Sequence, residues 1–215
     1  MSDPDGLRDY VAWHRAYDDP DSRLSHRLRV VVEMLGSALD VAPPGPVRVV
    51  SLCAGRGDDL LTVAATHPRG TDLRGRLVEL DPANADAARA RIVELGLDDL
   101  EVLEADAGTT DACAGAVPAD VVVACGIFGN ITLADIQRTV AALPSLCSPA
   151  AAVVWTRHPR EPGVLDAIGA AFDTAGFRLE RLVVDDEQAF GVGFHRLVRA
   201  PDPFEPGRRL FTFVR

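Results

Sequence analysis

Residues 47–61, VRVVSLCAGRGDDLL, decide how the rest of the chain is read. After Pro46 comes an apolar run, Val47-Arg48-Val49-Val50-Ser51-Leu52. It ends in a turn of small residues, Cys53-Ala54-Gly55-Arg56-Gly57, and a helical pattern starts at once with Asp58-Asp59-Leu60-Leu61. The order is strand, tight turn, helix. Glycines leave the backbone of the turn bare, so a ligand can approach the main chain closely. Amide hydrogens in the first turn of the helix have no partner within it and aim at whatever sits there. A nucleoside-type ligand is expected at this turn. A mere strand-to-helix connection is the competing reading, and a weaker one, because the next strands end in residues suited to the same ligand.

Outward from this stretch, the pattern alternates. Strands are expected at 75–80, 100–105, 120–125 and 151–156, and helices at 58–67, 82–95, 133–143 and 162–175. The helix at 82–95 is the best punctuated: Asp81 as N-cap, Pro82 at the first position, Gly96 just past the end. Thr132 caps the helix after the fourth strand, with Asp135 where a capping box places an acid. Apolar strands alternating with amphipathic helices imply a mostly parallel, Rossmann-like sheet of seven strands with helices on both faces. Strands at 177–184 and 192–198 follow each other without a helix, so they should pair antiparallel at an edge. An extra C-terminal strand is expected over 209–214.

N-terminal to the opening stretch, residues 7–41 have helical spacing interrupted at Asp18-Asp19-Pro20. Leu24, Leu28, Val31, Leu35 and Leu39 form the apolar stripe of the second helix. The run Ala42-Pro43-Pro44-Gly45-Pro46 stops regular structure. We therefore expect a helical cap over 1–42 and an α/β domain over 46–215, packed as one globular unit.

Composition narrows the function classes. A chain of 215 residues with a net charge of −10 does not suit non-specific binding to nucleic acid or an anionic membrane. All 22 basic residues are arginine, which excludes lysine Schiff-base chemistry and a P-loop lysine. Cys53, Cys113, Cys125 and Cys147 form no C-x-x-C pair, and no histidine pair has metal-ligand spacing. Reduced structural cysteines, no metal and a cytoplasmic location are expected. The polar N-terminus is not expected to act as a secretory signal, and no apolar run reaches membrane-spanning length.

In an open parallel sheet, ligands bind beyond the carboxyl ends of the strands. The residues there resemble those of the class I S-adenosylmethionine-dependent methyltransferases, over roughly residues 47–200 and in that family's motif order. Cys53-Ala54-Gly55-Arg56-Gly57 stands for the family's G-x-G-x-G, with Cys53 in place of the first glycine. Ser51 occupies a position where the family often has an acid that meets the methionine ammonium, and Asp58 is the substitute candidate. Glu79, with Leu80 beside it, falls on the family's ribose-binding acid. Asp106 falls on the acid that accepts from the adenine amino group, with the Ala107 amide beside it. Cys125 and Gly126 are expected to line the methionine end through backbone groups. The resemblance thus implies S-adenosyl-L-methionine as cofactor. A nicotinamide-type Rossmann domain is the rival, but its third glycine would fall on Leu60.

Beyond the fourth strand stands Gly126-Ile127-Phe128-Gly129-Asn130, not the Asn/Asp-Pro-Pro-aromatic of methyltransferases acting on nucleic-acid bases. With the acidic charge, this favours a small-molecule acceptor. Phe128 and Asn130 are expected to reach it, and His158, just past the fifth strand, is the candidate general base. The competing reading of His158 is an exposed loop histidine. Trp13, His14 and Tyr17 are expected to line the acceptor pocket from the cap, with core packing as the alternative. Arg157, Arg160 and Arg23 are candidates for an acceptor carboxylate or phosphate, or ordinary surface ion pairs. His195 lies away from this rim and reads as structural or surface. The same residues also suit an enzyme using the cofactor for other chemistry, or a binding module. A monomer or a homodimer is expected.

Overall fold

A computed structural model describes residues 19–214; Trp13, His14 and Tyr17 lie outside the described residues. The elements, in chain order, are α1 (Arg23–Val41), β1 (Val47–Leu52), α2 (Leu60–Thr66), β2 (Leu73–Glu79), α3 (Pro82–Leu95), β3 (Leu100–Glu104), β4 (Ala119–Ala124), α4 (Leu133–Ala142), β5 (Cys147–Arg157), α5 (Val164–Thr174), β6 (Phe177–Asp185) and β7 (Phe190–Leu197). β1 and α3 occupy the expected residues, and most other ends move by a residue or two. β5 is the exception, starting earlier. Its Cys147 pairs with Ala119, the register then shifts, and pairing resumes at Ala152 with Val121, past Ala150 at φ 60°.

All seven strands form one sheet in the order β3-β2-β1-β4-β5-β7-β6. β1 to β5 run parallel, and β7 pairs antiparallel with both β5 and β6. The chain reverses its direction of travel across the sheet between β1 and β4. A crevice opens where the carboxyl ends of these two strands part, and that is where open α/β sheets bind ligands.

Strand alternation sends side chains into two cores. Val47, Val49, Val121, Val123 and Val154 meet Met34, Leu35, Leu39 of α1, Leu61 of α2 and Ile92 of α3. Val50, Leu52, Val122, Val153 and Trp155 meet Ile136 and Val140 of α4, Ile168 and Phe172 of α5, and Phe211 of the tail. The helix α1 is therefore part of a covering layer.

The expected strand over 209–214 does not form. This tail makes one antiparallel bridge, Thr109 with Arg209, because it meets loops and a helix start, not a strand. The Leu210 amide donates to the Gly108 carbonyl, and the Leu210 carbonyl accepts from Thr139 Oγ1 at 3.0 Å. The Val214 amide reaches the Asn130 carbonyl. Between β3 and β4 the chain makes only the short 3-10 turn Thr110–Cys113, and the buried Leu210 and Phe211 of the tail pack beside it. Gly108 is required there, since a Cβ would stand 2.7 Å from the Phe211 carbonyl oxygen.

Candidate active site

The turn after β1 is closed by main-chain bonds. The Ala54 amide donates to the Val78 carbonyl, and the Gly57 amide to the Ala54 carbonyl. Cys53 has a φ of 51°, in the left-handed region for which glycine is the default, and Gly55 and Gly57 lie there too. A Cβ on Gly57 would stand 2.8 Å from Leu61 Cδ1. The Glu79 carboxylate ties the turn to the end of β2: Oε2 accepts from the Gly55 amide at 2.7 Å and Oε1 from the Asp81 amide at 2.8 Å. Beside it, Leu80 is 65% exposed, an apolar side chain left open at the rim. Burial pushes the Cys53 thiol up, and the charges of Glu79 and Asp106 push it further, which places these three side chains in one electrostatic neighbourhood. Asp106 accepts from the Gly108 amide at 2.7 Å and from Arg209 Nη1 at 2.8 Å. Ala107 beside it is buried.

On the α1–α2 face of the rim, Ser51 is 1% exposed and its hydroxyl has no hydrogen-bond partner among the described residues. Asp58, expected at the methionine end, is engaged by arginines. It sits between Arg56 at 3.2 Å and Arg91 at 3.6 Å. Its neighbour Asp59 caps α2 through the Leu60 amide at 2.7 Å and lies near Cys125. Burial holds the Asp59 carboxyl above the usual carboxylate range, against the pull of the Leu60 amide. Burial, and then the Asp59 charge, raise the Cys125 thiol.

The loop after β4 is braced by side chains. Gly126, at φ 78°, donates its amide to Thr156 Oγ1 at 2.8 Å, and Asn130 Nδ2 donates to the Gly126 carbonyl at 2.7 Å. Asn130 thus spends its amide group on the loop. Phe128 does not reach the rim as expected: it is 0% exposed and packs on Trp155 with ring centroids 5.7 Å apart. The short loop turns its one aromatic inward, where burial of a large ring is most favourable. Arg157 Nη1 donates to the Phe128 carbonyl. His158 comes close to this loop, its Cδ2 lying 3.7 Å from where a Cβ on Gly129 would stand. His195 is buried instead, stacked on Phe172 at 4.0 Å, with Nδ1 accepting from Trp155 Nε1 at 3.0 Å.

No family model and no curated protein matches this sequence. Solved structures do. Magnesium protoporphyrin IX methyltransferase from Synechocystis PCC 6803, with bound S-adenosylmethionine, superposes with a TM-score of 0.69 at 12% identity, over 87% of this chain and 90% of that one. An O-methyltransferase family protein from Burkholderia thailandensis gives 0.63 at 18% identity, over 82% of this chain and 56% of its own. An RNA methyltransferase from Salinibacter ruber, in complex with S-adenosyl-L-homocysteine, gives 0.50 at 22%. This chain has the class I methyltransferase fold.

Within that methyltransferase fold, the rim gathers Ser51, Cys53, Ala54, Gly55, Gly57, Glu79, Leu80, Asp106, Ala107, Cys125 and Gly126 at the carboxyl ends of β1 to β4. Asp59, Thr156 and the tail's Arg209 also stand at this rim without having been expected there. The acidic pair Asp58-Asp59 was the only local signal for the first, and nothing local marks the other two. A cavity of about 200 Å³ lies between the loops after β4 and β5, lined by Gly129, Ile131, Leu133, Arg157, Glu161 and Val164 among others. Among the described residues, no group of histidine, cysteine, aspartate and glutamate could hold a metal ion, and no helix is long and apolar enough to cross a membrane.

Proposed function

We propose that the protein is an S-adenosylmethionine-dependent methyltransferase that acts on a small-molecule acceptor by in-line methyl transfer. The observation that carries this reading is the Glu79 carboxylate, which joins the left-handed turn to the end of β2 with Leu80 exposed beside it. A carboxylate oxygen has two lone-pair sites, so Glu79 keeps acceptor capacity for the paired hydroxyls of a ribose. The orphaned Ser51 hydroxyl and the bare turn also fit such a ligand. When bound, the cofactor supplies an electrophilic methyl group on a sulfonium centre.

In this reading the chain's residues bind and orient. Glu79 takes the ribose, Leu80 lies against the adenine, and Asp106 with the Ala107 amide reads its amino edge. Cys53 to Gly57 follow the cofactor's backbone. Cys125 and Gly126 line the methionine end. Asp59, rather than the arginine-paired Asp58, is the acid for the ammonium. Ser51 is its polar neighbour. His158 receives the proton that a protonated acceptor must lose, a role that contributes typically 10²–10⁴-fold. Trp13, His14 and Tyr17 belong to the acceptor side on sequence grounds alone. The net charge of −10 and the Gly-Ile-Phe-Gly-Asn loop support a small acceptor over a nucleic-acid base.

Calorimetry with S-adenosylhomocysteine tests the cofactor assignment; no binding at millimolar ligand would end it. Incubation with S-adenosylmethionine and a metabolite extract, followed by mass spectrometry, tests the reaction. S-adenosylhomocysteine is the expected product, and methylthioadenosine would point to different chemistry. With the acceptor in hand, His158→Ala should lower kcat about 100-fold and remove the acidic limb of the pH–rate profile; an unchanged profile would remove His158 from the mechanism.

A further inference from the structure

The cavity between the starts of α4 and α5 is not used by any cofactor contact proposed above. Arg157, at the end of β5, lines it with 6% of its surface exposed. Its three nitrogens have different fates. Nη1 donates to the Phe128 carbonyl, which pins the guanidinium in place. Nη2 is ion-paired with Glu161 Oε1 at 2.9 Å. Nε is buried and has no hydrogen-bond partner among the described residues. The Nε and Nη2 hydrogens project from one edge of the guanidinium plane, and that fork matches the two oxygens of a single carboxylate. Glu161 is placed to serve only half of it, and its side chain is mostly exposed, so it is free to leave.

The surroundings favour an anion of modest size. The cap of α5 is Gly163, which offers no side chain to the first-turn amides, and Val164 of that turn lines the cavity. The positive end of this 11-residue helix therefore meets the same space. Ile131, Leu133 and Ile136 make an apolar wall. A volume of about 200 Å³ lies below the range of roughly 300–1,000 Å³ usual for drug-sized ligands, so one ring or a short chain fits and a polycycle does not. Gly129 borders both the cavity and His158.

We infer that this cavity is the acceptor subsite and takes a small monocarboxylate, whose two oxygens displace Glu161 and complete the Arg157 fork. The subsite's role in catalysis rests on the methyltransferase reading; its ligand chemistry does not. Seated there, the acid end of the acceptor is anchored and the reacting end extends past Gly129 toward His158.

Benzoate is the probe, with benzamide as its neutral counterpart, titrated calorimetrically into the full chain alongside S-adenosylhomocysteine. Benzoate should bind at least tenfold more tightly than benzamide, the discrimination expected of a charge-assisted bidentate pair. Glu161→Gln should tighten benzoate roughly threefold to tenfold by removing the competing anion. Arg157→Gln should weaken it by at least about tenfold. Equal binding of the two probes, or a Glu161→Gln variant with unchanged benzoate affinity, overturns the inference. Should Arg157→Gln fail to fold, the exposed Glu161 still decides the matter. Benzoate behaving as expected on a protein that does not bind S-adenosylhomocysteine would sink the cofactor reading and leave the carboxylate site standing. The converse result would sink the site alone.

Discussion

The β1–β2 half of the rim and the β4–β5 half are built by different means. Backbone groups hold the first: amides of Ala54, Gly55, Gly57 and Asp81 close the turn, and one carboxylate, that of Glu79, is the only side chain they need. Side chains hold the second: Thr156 grips the Gly126 amide, Asn130 the Gly126 carbonyl, and Arg157 the Phe128 carbonyl. A main-chain turn tolerates changes such as Cys53 for glycine at a conformational cost, because the side chain there is not asked to bond. A side-chain-braced loop ties its shape to specific residues on β5. The first half keeps its shape through main-chain geometry, the second through the identity of a few side chains.

That contrast can be broken experimentally. Glu79→Ala carries the largest expected effect, since two amides lose a charged acceptor. At about 1.5–3 kcal/mol per charge-assisted bond, we expect a stability loss of roughly 3–6 kcal/mol, with S-adenosylhomocysteine binding lost as well. Denaturant unfolding and calorimetry measure the two, and Glu79→Gln should recover part of each.

The second half depends on a buried neutral imidazole. Burial lowers His195 from 6.5 to about 4, and its Nδ1 accepts from Trp155, the strut beneath the loop. Its folded pKa is depressed, so the unfolded chain binds the extra proton first. The stability contribution is present above pH 6.5 and is lost as pH falls toward 4, by on the order of 3 kcal/mol. Urea unfolding between pH 7 and 4 measures this slope, and His195→Phe should flatten it. Asn130→Ala should cost about 1 kcal/mol and lower turnover while leaving S-adenosylhomocysteine affinity within about twofold; an equal loss of affinity would erase the distinction between the halves. Arg209→Ala should have the smallest effect, under about 1 kcal/mol, because its pair with Asp106 is half exposed.

The two halves also differed in how far the sequence disclosed them. β1 was legible because it is apolar on both faces, and α3 because Asp81, Pro82 and Gly96 mark its ends. Glu79 and Asp106 were legible because strand ends in a parallel sheet must reach the rim. Phe128 was misplaced because strand alternation says nothing about a side chain four residues past the strand. The ion pairing of Asp58 was not legible, since its partners are Arg56 and Arg91, and Arg91 belongs to another helix. The tail over 209–214 has strand-like composition, yet a strand needs a strand to pair with, and its neighbours are loops. The Arg157 fork depends on a carbonyl that only the folded loop puts in place.

The tail's placement has a consequence for biosynthesis. Arg209 and Asp106 are 103 residues apart in the chain, and Thr110 and Arg208 are 98 apart. A ribosome adding about 5–20 residues per second needs roughly 5–20 s to cover such a distance. Throughout that interval the loop after β3 has emerged without the segment that clasps it. The Asp106 side of the rim is therefore finished late in translation, long after the glycine turn after β1 has been made.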